Sequence, residues 1–422
     1  METTLTVIFI VGYAAIASES FIGINKAASA LITAVALWSV YMLGNAAQAD
    51  AVTARLTAHV GEFSGILFFL MAAMTIVELI DAHRGFEVIT GHIGVTGKRS
   101  LLWIITGLTF FLSAVLDNLT TAIVMTSLTA KLIDDGKDRL FYIGMIVIAA
   151  NAGGAWSPIG DVTTTMLWIG NRITGNHLVA KLFLPSLVSC LAPLLALTWR
   201  LKGRIQSRPM EDTREVAASL TQRNIVFFFG ILSLLSVPVF KAWTHLPPYM
   251  GILLGLGILW AITERLHVLE KGNGLGAISA VGALQRIDLP SILFFLGILS
   301  CVAALQSASV LSGWATWLDK TVHSETIIVL CIGLLSAIVD NVPLVAGAMN
   351  MYGLASYHVN HDFWIFLSYC AGTGGSALII GSAAGVAAMG MAKIDFLWYV
   401  RNISGLAVLG YAAGACVYLL MR

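Results

Sequence analysis

The chain has 422 residues, of which 58% are hydrophobic and only 11% are charged, whereas an ordinary soluble domain is about 25% charged. These values, with a mean hydropathy of +0.86, exclude soluble enzyme folds. Nucleic-acid binding is excluded too, because 24 Lys and Arg against 23 Asp and Glu leave no basic surplus for phosphates. Long unbroken apolar runs have the wrong period for an outer-membrane barrel. The composition therefore predicts an all-α polytopic membrane protein with on the order of ten to twelve spans.

In chain order, the apolar runs fall at about 4–18, 27–43, 63–80, 100–133, 140–170, 179–199, 224–240, 248–263, 289–306, 325–353, 362–391 and 397–420. Four of these runs are interrupted. Runs 100–133 and 325–353 each carry an Asp-Asn pair near the centre, and we interpret them as re-entrant helical hairpins. Runs 140–170 and 362–391 each carry a Gly-Gly pair, and we interpret them as broken transmembrane helices.

The interruptions reveal an internal repeat. The segment 113–118 (SAVLDN) matches 336–341 (SAIVDN) at an offset of 223 residues. Upstream, 66–70 matches 292–296 as ILFFL at an offset of 226, and downstream the glycine pair 153–154 matches 374–375 at an offset of 221. A repeated pair of interrupted hydrophobic segments is the best sequence indication of a transporter's binding site.

Lys and Arg in the loops predict the orientation. With both hairpins re-entrant, the loops of one face carry 18 Lys and Arg and those of the other face carry 6. By the positive-inside rule the first hairpin opens to the cytoplasm and the second to the outside, so we expect two inverted-topology repeats. We expect a multi-pass protein of a bacterial-type inner (plasma) membrane, with the loop 201–223 cytoplasmic.

The predicted organisation has five parts. They are N-terminal scaffold helices at 1–61, repeat 1 at 62–199, a cytoplasmic linker at 200–223, scaffold helices at 224–288 and repeat 2 at 289–422.

Acidic residues inside the membrane carry the functional prediction, because an ionised carboxylate in hydrocarbon costs several kcal/mol. They are Glu78, Asp117, Asp161 and Asp340, and no Lys or Arg shares the central depth of these segments by sequence. Such a carboxylate binds either a proton or a cation. A site that alternates between these two states exchanges cations for protons. Neither a metal-ligand cluster nor a nucleophile motif supports an enzyme or a cofactor.

Other interpretations of these residues stay open. Asp161 and Asn341 also suit helix N-caps, and Pro343 suits the first turn of a new helix. The glycine pairs also suit close helix packing. Glu78 is either a proton-relay residue or an interfacial acid that faces the cavity.

The segments SAVLDNLTT (113–121) and NAGGAWSPIGDVTT (151–164) resemble the NhaD family of sodium/proton antiporters. The resemblance covers nearly the whole chain. It implies a scaffold domain, a transport domain built from the hairpins and broken helices, and a homodimer. It also implies exchange of cytoplasmic Na+ or Li+ for external H+.

The resemblance also implies a set of ion-site residues. In this chain they are Asp117, Asn118, Thr120, Asn151, Asp161, Thr163, Thr164, Ser336, Asp340, Asn341 and Ser376. The second half departs from the pattern at Gly381-Ser382, because the Asp that would match Asp161 is absent. We therefore expect one asymmetric site dominated by Asp117 and Asp161, with Asp340 in support.

The alternative is a dicarboxylate or arsenite carrier of the same superfamily. Asp117 and Asp340 at the two hairpin tips oppose an anionic substrate, because such carriers need tips free of negative charge. The same two carboxylates are weaker evidence against a neutral substrate such as arsenite.

Overall fold

A computed structural model describes residues 1–90, 97–133, 135–201, 203, 220–270, 280–338 and 340–422. Over these ranges the regular structure is helical and contains no strand. The α-helices are α1 Glu2–Ala17, α2 Glu19–Ile22, α3 Lys26–Gly44, α4 Ala49–Ala82, α5 Glu87–Thr90, α6 Lys98–Leu116, α7 Asn118–Leu132, α8 Gly136–Ala155, α9 Val162–Ile169, α10 Gly175–Arg200, α11 Leu220–Thr244, α12 Pro248–Glu270, α13 Ala280–Leu284, α14 Leu289–Ser307, α15 Val310–Val322, α16 Glu325–Leu335, α17 Asn341–Met351, α18 Asp362–Gly374, α19 Ala383–Ala392, α20 Phe396–Tyr399 and α21 Gly405–Leu420.

In the part of the chain that the structure describes, eight helices are long and apolar enough to cross a membrane. They are Lys26–Gly44, Ala46–Ala82, Lys98–Leu116, Gly175–Arg200, Leu220–Lys241, Pro248–Leu266, Leu289–Ser307 and Phe396–Leu420. The predicted all-α polytopic membrane fold is confirmed. Full-length spans are fewer than apolar content alone predicts, because interruptions divide several apolar runs into shorter helices such as Glu325–Leu335 and Ala383–Ala392.

All four predicted interruptions are present. Helices α6 and α7 meet at Asp117, and α16 and α17 are separated by residues 336–340. Helices α8 and α9 are separated by 156–161, and α18 and α19 by 375–382, where a short 3₁₀ turn lies at Ile379–Gly381. The opposite orientation of the two halves stays a prediction.

One predicted domain boundary lies inside a helix, and the predicted linker lies largely outside the described residues. Helix α4 is continuous over 34 residues, so the boundary at 61–62 lies inside a helix. Most of the predicted linker 200–223 lies outside the described residues, and α11 already begins at Leu220.

The interrupted segments of the two halves pack against each other. Helix α6 packs on α8 and α16 packs on α18, so each hairpin lies beside the broken helix of its own half. The second helix of each hairpin also packs on the broken helix of the other half, α7 on α19 and α17 on α9. This exchange brings all four interruptions to one region of the molecule.

Candidate functional site

Asp161 lies at the centre of this region, in the break between α8 and α9. Its side chain caps α9, and Oδ1 accepts hydrogen bonds from the Thr163 backbone N–H and from Thr163 Oγ1, both at 2.8 Å. The side chain lies in the interior, since Asp161 is only 1% exposed. The N-cap interpretation of Asp161 is therefore correct, but the cap uses only one carboxylate oxygen.

The other oxygen of Asp161 faces the tips of both hairpins. Asn118, the first residue of α7, donates from Nδ2 to Asp161 Oδ2 at 2.7 Å. Asn341, the first residue of α17, donates to the same oxygen at 3.5 Å. Asn341 is not the helix cap that its sequence position suggests, because Asp340 caps α17. The side chain of Asn341 contacts Asp161 instead.

Asn151 extends this network to the broken helix of the second half. Its Oδ1 accepts a hydrogen bond from Asn118 Nδ2 at 3.1 Å, and its Nδ2 donates to Ser376 Oγ and Ser382 Oγ, both at 2.9 Å. All these side chains are buried. A continuous set of amide, hydroxyl and carboxylate groups therefore connects Asp161 with residues from all four interruptions.

Ser382 is a member of this network that is not among the site residues predicted from sequence. It occupies the position that matches Asp161 at the offset of 221 residues, and it caps α19 as Asp161 caps α9. The alignment of the two repeats contains this signal. A prediction based on charge misses it, because a serine does not share the negative charge of the aspartate.

Asp117 lies at the tip of the first hairpin in a strained backbone conformation, with φ of 79°. Its carboxylate caps α7 and accepts hydrogen bonds from the Thr120 backbone N–H at 2.8 Å and from Thr120 Oγ1 at 2.9 Å. A small cavity of about 20 Å³ borders Asp117, Thr165 and apolar side chains of α4. That volume suffices for one water-sized occupant.

A larger polar cavity of about 140 Å³ reaches the same hairpin tip. It is lined by Thr120, Glu78, Arg286 and neighbouring residues. Arg286 Nη1 lies 3.9 Å from Glu78 Oε1, so the expectation of an unpaired Glu78 is wrong. The loop before α14 supplies the arginine, and sequence alone does not show that this loop reaches α4.

Asp340 lies at the tip of the second hairpin and has a different partner. Lys26 Nζ is 3.2 Å from Asp340 Oδ2. The expectation that no cation shares the depth of this carboxylate is therefore wrong. The place of Lys26 between two apolar runs indicates a loop, whereas this residue begins α3 beside the hairpin tip.

Two of the predicted site residues, Thr164 and Ser336, form hydrogen bonds to backbone carbonyl oxygens. Thr164 Oγ1 donates to the Asp161 carbonyl oxygen at 2.8 Å. Ser336 Oγ donates to the carbonyl oxygens of Gly333 and Ala371, at 2.7 and 3.2 Å. These hydroxyl groups fix the geometry of the interruptions rather than contacting the Asp161 carboxylate.

Glycines permit the close approach of the interrupted segments. A Cβ atom at Gly160 would lie 2.7 Å from the carbonyl oxygen of Ser113, and one at Gly375 would lie 2.7 Å from that of Gly381. Real Cβ contacts are not this short, so the segments meet only because these positions lack side chains. The close-packing interpretation is thus confirmed for both glycine pairs, because a Cβ atom at Gly153 would overlap the Phe110 carbonyl oxygen of α6 and one at Gly374 would overlap the Gly333 carbonyl oxygen of α16.

Asp161 and Asp117 have no Lys or Arg partner within 4.0 Å among the residues that the structure describes. The donors around them are neutral amides, hydroxyls and backbone N–H groups. A buried carboxylate without a countercharge binds a proton or a cation, and several neighbouring groups present oxygen atoms. Converging helix interruptions with such a site define a polytopic membrane transporter.

The chain belongs to the CitMHS family, described as citrate transporter, whose family model matches residues 13–366. It is 47% identical to "Sodium/proton antiporter 1" of Arabidopsis thaliana over 99% of this chain and 72% of that protein. It is 45% identical to "Sodium/proton antiporter 2" of the same plant over 98% of both chains. It is 29% identical to "Na(+)/H(+) antiporter NhaD" of Vibrio cholerae over 98% of this chain and 91% of that protein. The resemblance to the NhaD family is confirmed.

Proposed function

We propose that this protein is a secondary active transporter that exchanges cytoplasmic Na+ or Li+ for external H+. The observation that carries the proposal is the Asp161 carboxylate, which is 1% exposed and surrounded by neutral donors. The names of the relatives, sodium/proton antiporters, support the same exchange.

In the proposed mechanism Asp161 and Asp117 alternate between a protonated and a cation-bound state. Protons leave when Na+ enters, because like charges in a low-dielectric site favour neutralisation by one ion or the other. Asn118, Asn341 and Asn151 supply ligand oxygens, since each side-chain amide has a carbonyl as well as an NH₂ group. Hard cations such as Na+ prefer such oxygen ligands.

The remaining predicted site residues have supporting roles in this proposal. Thr120 and Thr163 hold the two carboxylates through hydroxyl and backbone donors. Ser376 orients Asn151, and Thr164 and Ser336 fix the backbone at two interruptions.

An anionic substrate fits this site poorly, although the family model is described as citrate transporter. A dicarboxylate would be brought against Asp117 and Asp161 without a compensating Lys or Arg among the described residues. Repulsion in a low-dielectric site is strong. Cation exchange is therefore the function that the geometry supports best, and no catalytic reaction is proposed.

We place the polar cavity beside Thr120 and Glu78 on the cytoplasmic side, where it gives Na+ access to the first hairpin tip. The distribution of Lys and Arg, 18 against 6, supports this orientation and a cytoplasmic loop at 201–223. We keep the expectation of a homodimer in a bacterial-type inner membrane as part of the proposal.

The test uses everted membrane vesicles in which an imposed pH gradient collapses on addition of Na+ or Li+. We expect wild-type protein to dissipate the gradient and Asp117→Asn and Asp161→Asn to lose this activity. Asp362→Asn is the matched control, because that carboxylate pairs with Arg422 near the C-terminus and is 32% exposed.

Two results would contradict the proposal. One is exchange at the wild-type rate by Asp161→Asn at an equal protein level. The other is uptake of radiolabelled citrate or succinate by the wild type with no response of the pH gradient to Na+ or Li+.

A further inference from the structure

The two hairpin tips, which match in sequence, hold their aspartates with different partners. Asp117 accepts two hydrogen bonds from Thr120, one from its backbone and one from its hydroxyl. The residue that matches Thr120 in the second half is Pro343, which has neither a backbone N–H nor a hydroxyl. Asp340 instead accepts the backbone N–H of Val342 at 3.2 Å and the ammonium of Lys26 at 3.2 Å.

Lys26 is held in place from several sides. It begins α3, and its backbone N–H donates to Glu19 Oε1 at 3.2 Å. Its Nζ lies 4.5 Å from the centroid of the Phe294 ring on α14, within the range of a cation–π contact. The side chains of Lys26 and Asp340 are only 24% and 15% exposed. The ammonium is therefore a fixed part of the second hairpin tip.

The balance of charge differs between the two halves. In the first half Asp117 and Asp161 are two carboxylates with no Lys or Arg partner among the described residues. In the second half the residue that matches Asp161 is the neutral Ser382, and the remaining carboxylate, Asp340, is paired with Lys26. Two independent differences from the first half, Ser382 in place of an aspartate and Lys26 beside Asp340, thus remove the uncompensated negative charge from the second half.

Lys26 and Asp340 belong to different parts of the fold. Lys26 lies on α3, which packs along α14, whereas Asp340 lies between α16 and α17 of the hairpin. Removing one member of a partly buried ion pair leaves the other charge without compensation. Loss of the ammonium therefore leaves a carboxylate in the situation of Asp117, which takes up a cation.

We propose that the Lys26 ammonium is a tethered counter-cation that occupies the second hairpin tip in place of a transported ion. Lys26 is thus a positioning residue that limits each chain to one Na+ site, formed around Asp117 and Asp161. This inference rests on the proposed cation exchange and goes beyond it, because it assigns the number of sites and the residue that sets it.

The experiment measures equilibrium binding of ²²Na+ to the purified full chain in detergent at alkaline pH. The variants are Lys26→Gln, which removes the charge, and Lys26→Arg, which keeps it. The matched control is Lys98→Gln, because Lys98 also begins a transmembrane helix and pairs with an aspartate, Asp138. The Na+ dependence of exchange is measured in proteoliposomes with the same proteins.

We expect wild type, Lys26→Arg and Lys98→Gln to bind one Na+ per chain and to show a Hill coefficient near one. Lys26→Gln is expected to bind about twice as much Na+ per chain, because Asp340 becomes a cation ligand. If Lys26 had only a structural role, Lys26→Gln would lower the stability of the protein or the rate of exchange but would not raise the number of bound Na+ ions.

Asp340→Asn keeps the inference testable if Lys26→Gln does not fold. Under the proposal this variant still binds one Na+ per chain, and so does the double variant Lys26→Gln/Asp340→Asn. An unchanged Na+ count in folded Lys26→Gln, or a loss of binding in Asp340→Asn, would overturn the inference while leaving cation exchange standing. A wild-type protein that binds no Na+ and shows no Na+-dependent proton flux overturns the proposed function itself.

Discussion

Asn118 Nδ2 lies 2.7 Å from Asp161 Oδ2, although 43 residues separate them in the chain. The contact joins the tip of the first hairpin to the break in the neighbouring helix. A hydrogen bond to a charged group contributes about 1.5–3 kcal/mol. Asn118 therefore orients the carboxylate, and in the proposed function its side-chain carbonyl is a ligand oxygen for the bound cation.

Asn118→Ala is expected to raise the apparent KM for Na+ by about tenfold or more, because about 1.4 kcal/mol corresponds to a factor of ten. The measurement is the Na+ dependence of exchange in proteoliposomes. Asn402→Ala serves as control, since Asn402 Nδ2 donates to the Trp398 carbonyl oxygen at 2.9 Å, away from the four interruptions. An unchanged KM in Asn118→Ala would contradict a role in the ion site.

Thr163 offers a test of the other carboxylate oxygen, because its hydroxyl donates to Asp161 Oδ1 at 2.8 Å. Thr163→Val removes the hydroxyl at nearly constant volume, and we expect weaker Na+ binding, about tenfold by KM. Thr163→Ser keeps the donor and is expected to stay near wild type. Thr129→Val is the control, since Thr129 is buried and its hydroxyl donates to the Met125 carbonyl oxygen within its own helix. Equal KM values for the Val and Ser variants at position 163 would show that the hydroxyl does not act on the site.

The elements of this fold are predictable from sequence because each has a local signature. Repeated Asp-Asn and Gly-Gly interruptions identify the hairpins and broken helices, and the structure has all four. The pairing of Asp340 with Lys26 is not predictable in this way, because it depends on the packing of α3 against α14 and joins residues 314 apart. Apolar helices carry little information about which helix they pack on, since faces toward lipid and toward protein are similarly hydrophobic.

The same distinction applies to individual site residues. Asp161, Asn118 and Thr163 are predicted from motif resemblance and lie in contact in the structure. Ser382 escapes prediction because its hydroxyl becomes part of the network only when α19 packs on α7 and α8. The repeat alignment places Ser382 opposite Asp161, but only this packing shows that a neutral serine joins the network.

Gly160→Ala tests the close packing of the interruptions. A Cβ atom at this position would lie 2.7 Å from the Ser113 carbonyl oxygen and 2.9 Å from Gly154 Cα, and neither backbone atom belongs to a flexible side chain. Overpacking of this kind costs about 1–3 kcal/mol. We expect a lower Tm for the purified protein and reduced exchange. Gly107→Ala is the matched control on α6, because a Cβ atom there would have no described neighbour within 4 Å, and a Tm as low as that of Gly160→Ala would contradict the explanation.

The dependence of exchange on pH follows from competition for the same carboxylates. When the pH falls, a larger fraction of the sites carries a proton, so Na+ binds less readily and its apparent KM rises. The limit is about tenfold per pH unit for one competing proton, and the rate at saturating Na+ is preserved because enough Na+ displaces the proton. The measurement is a series of Na+ titrations of exchange in proteoliposomes at several pH values. Thr163→Ser serves as the control variant, because it keeps the hydroxyl donor to Asp161. A KM that is independent of pH, with only the maximal rate falling in acid, would show that protons act at a separate site from Na+.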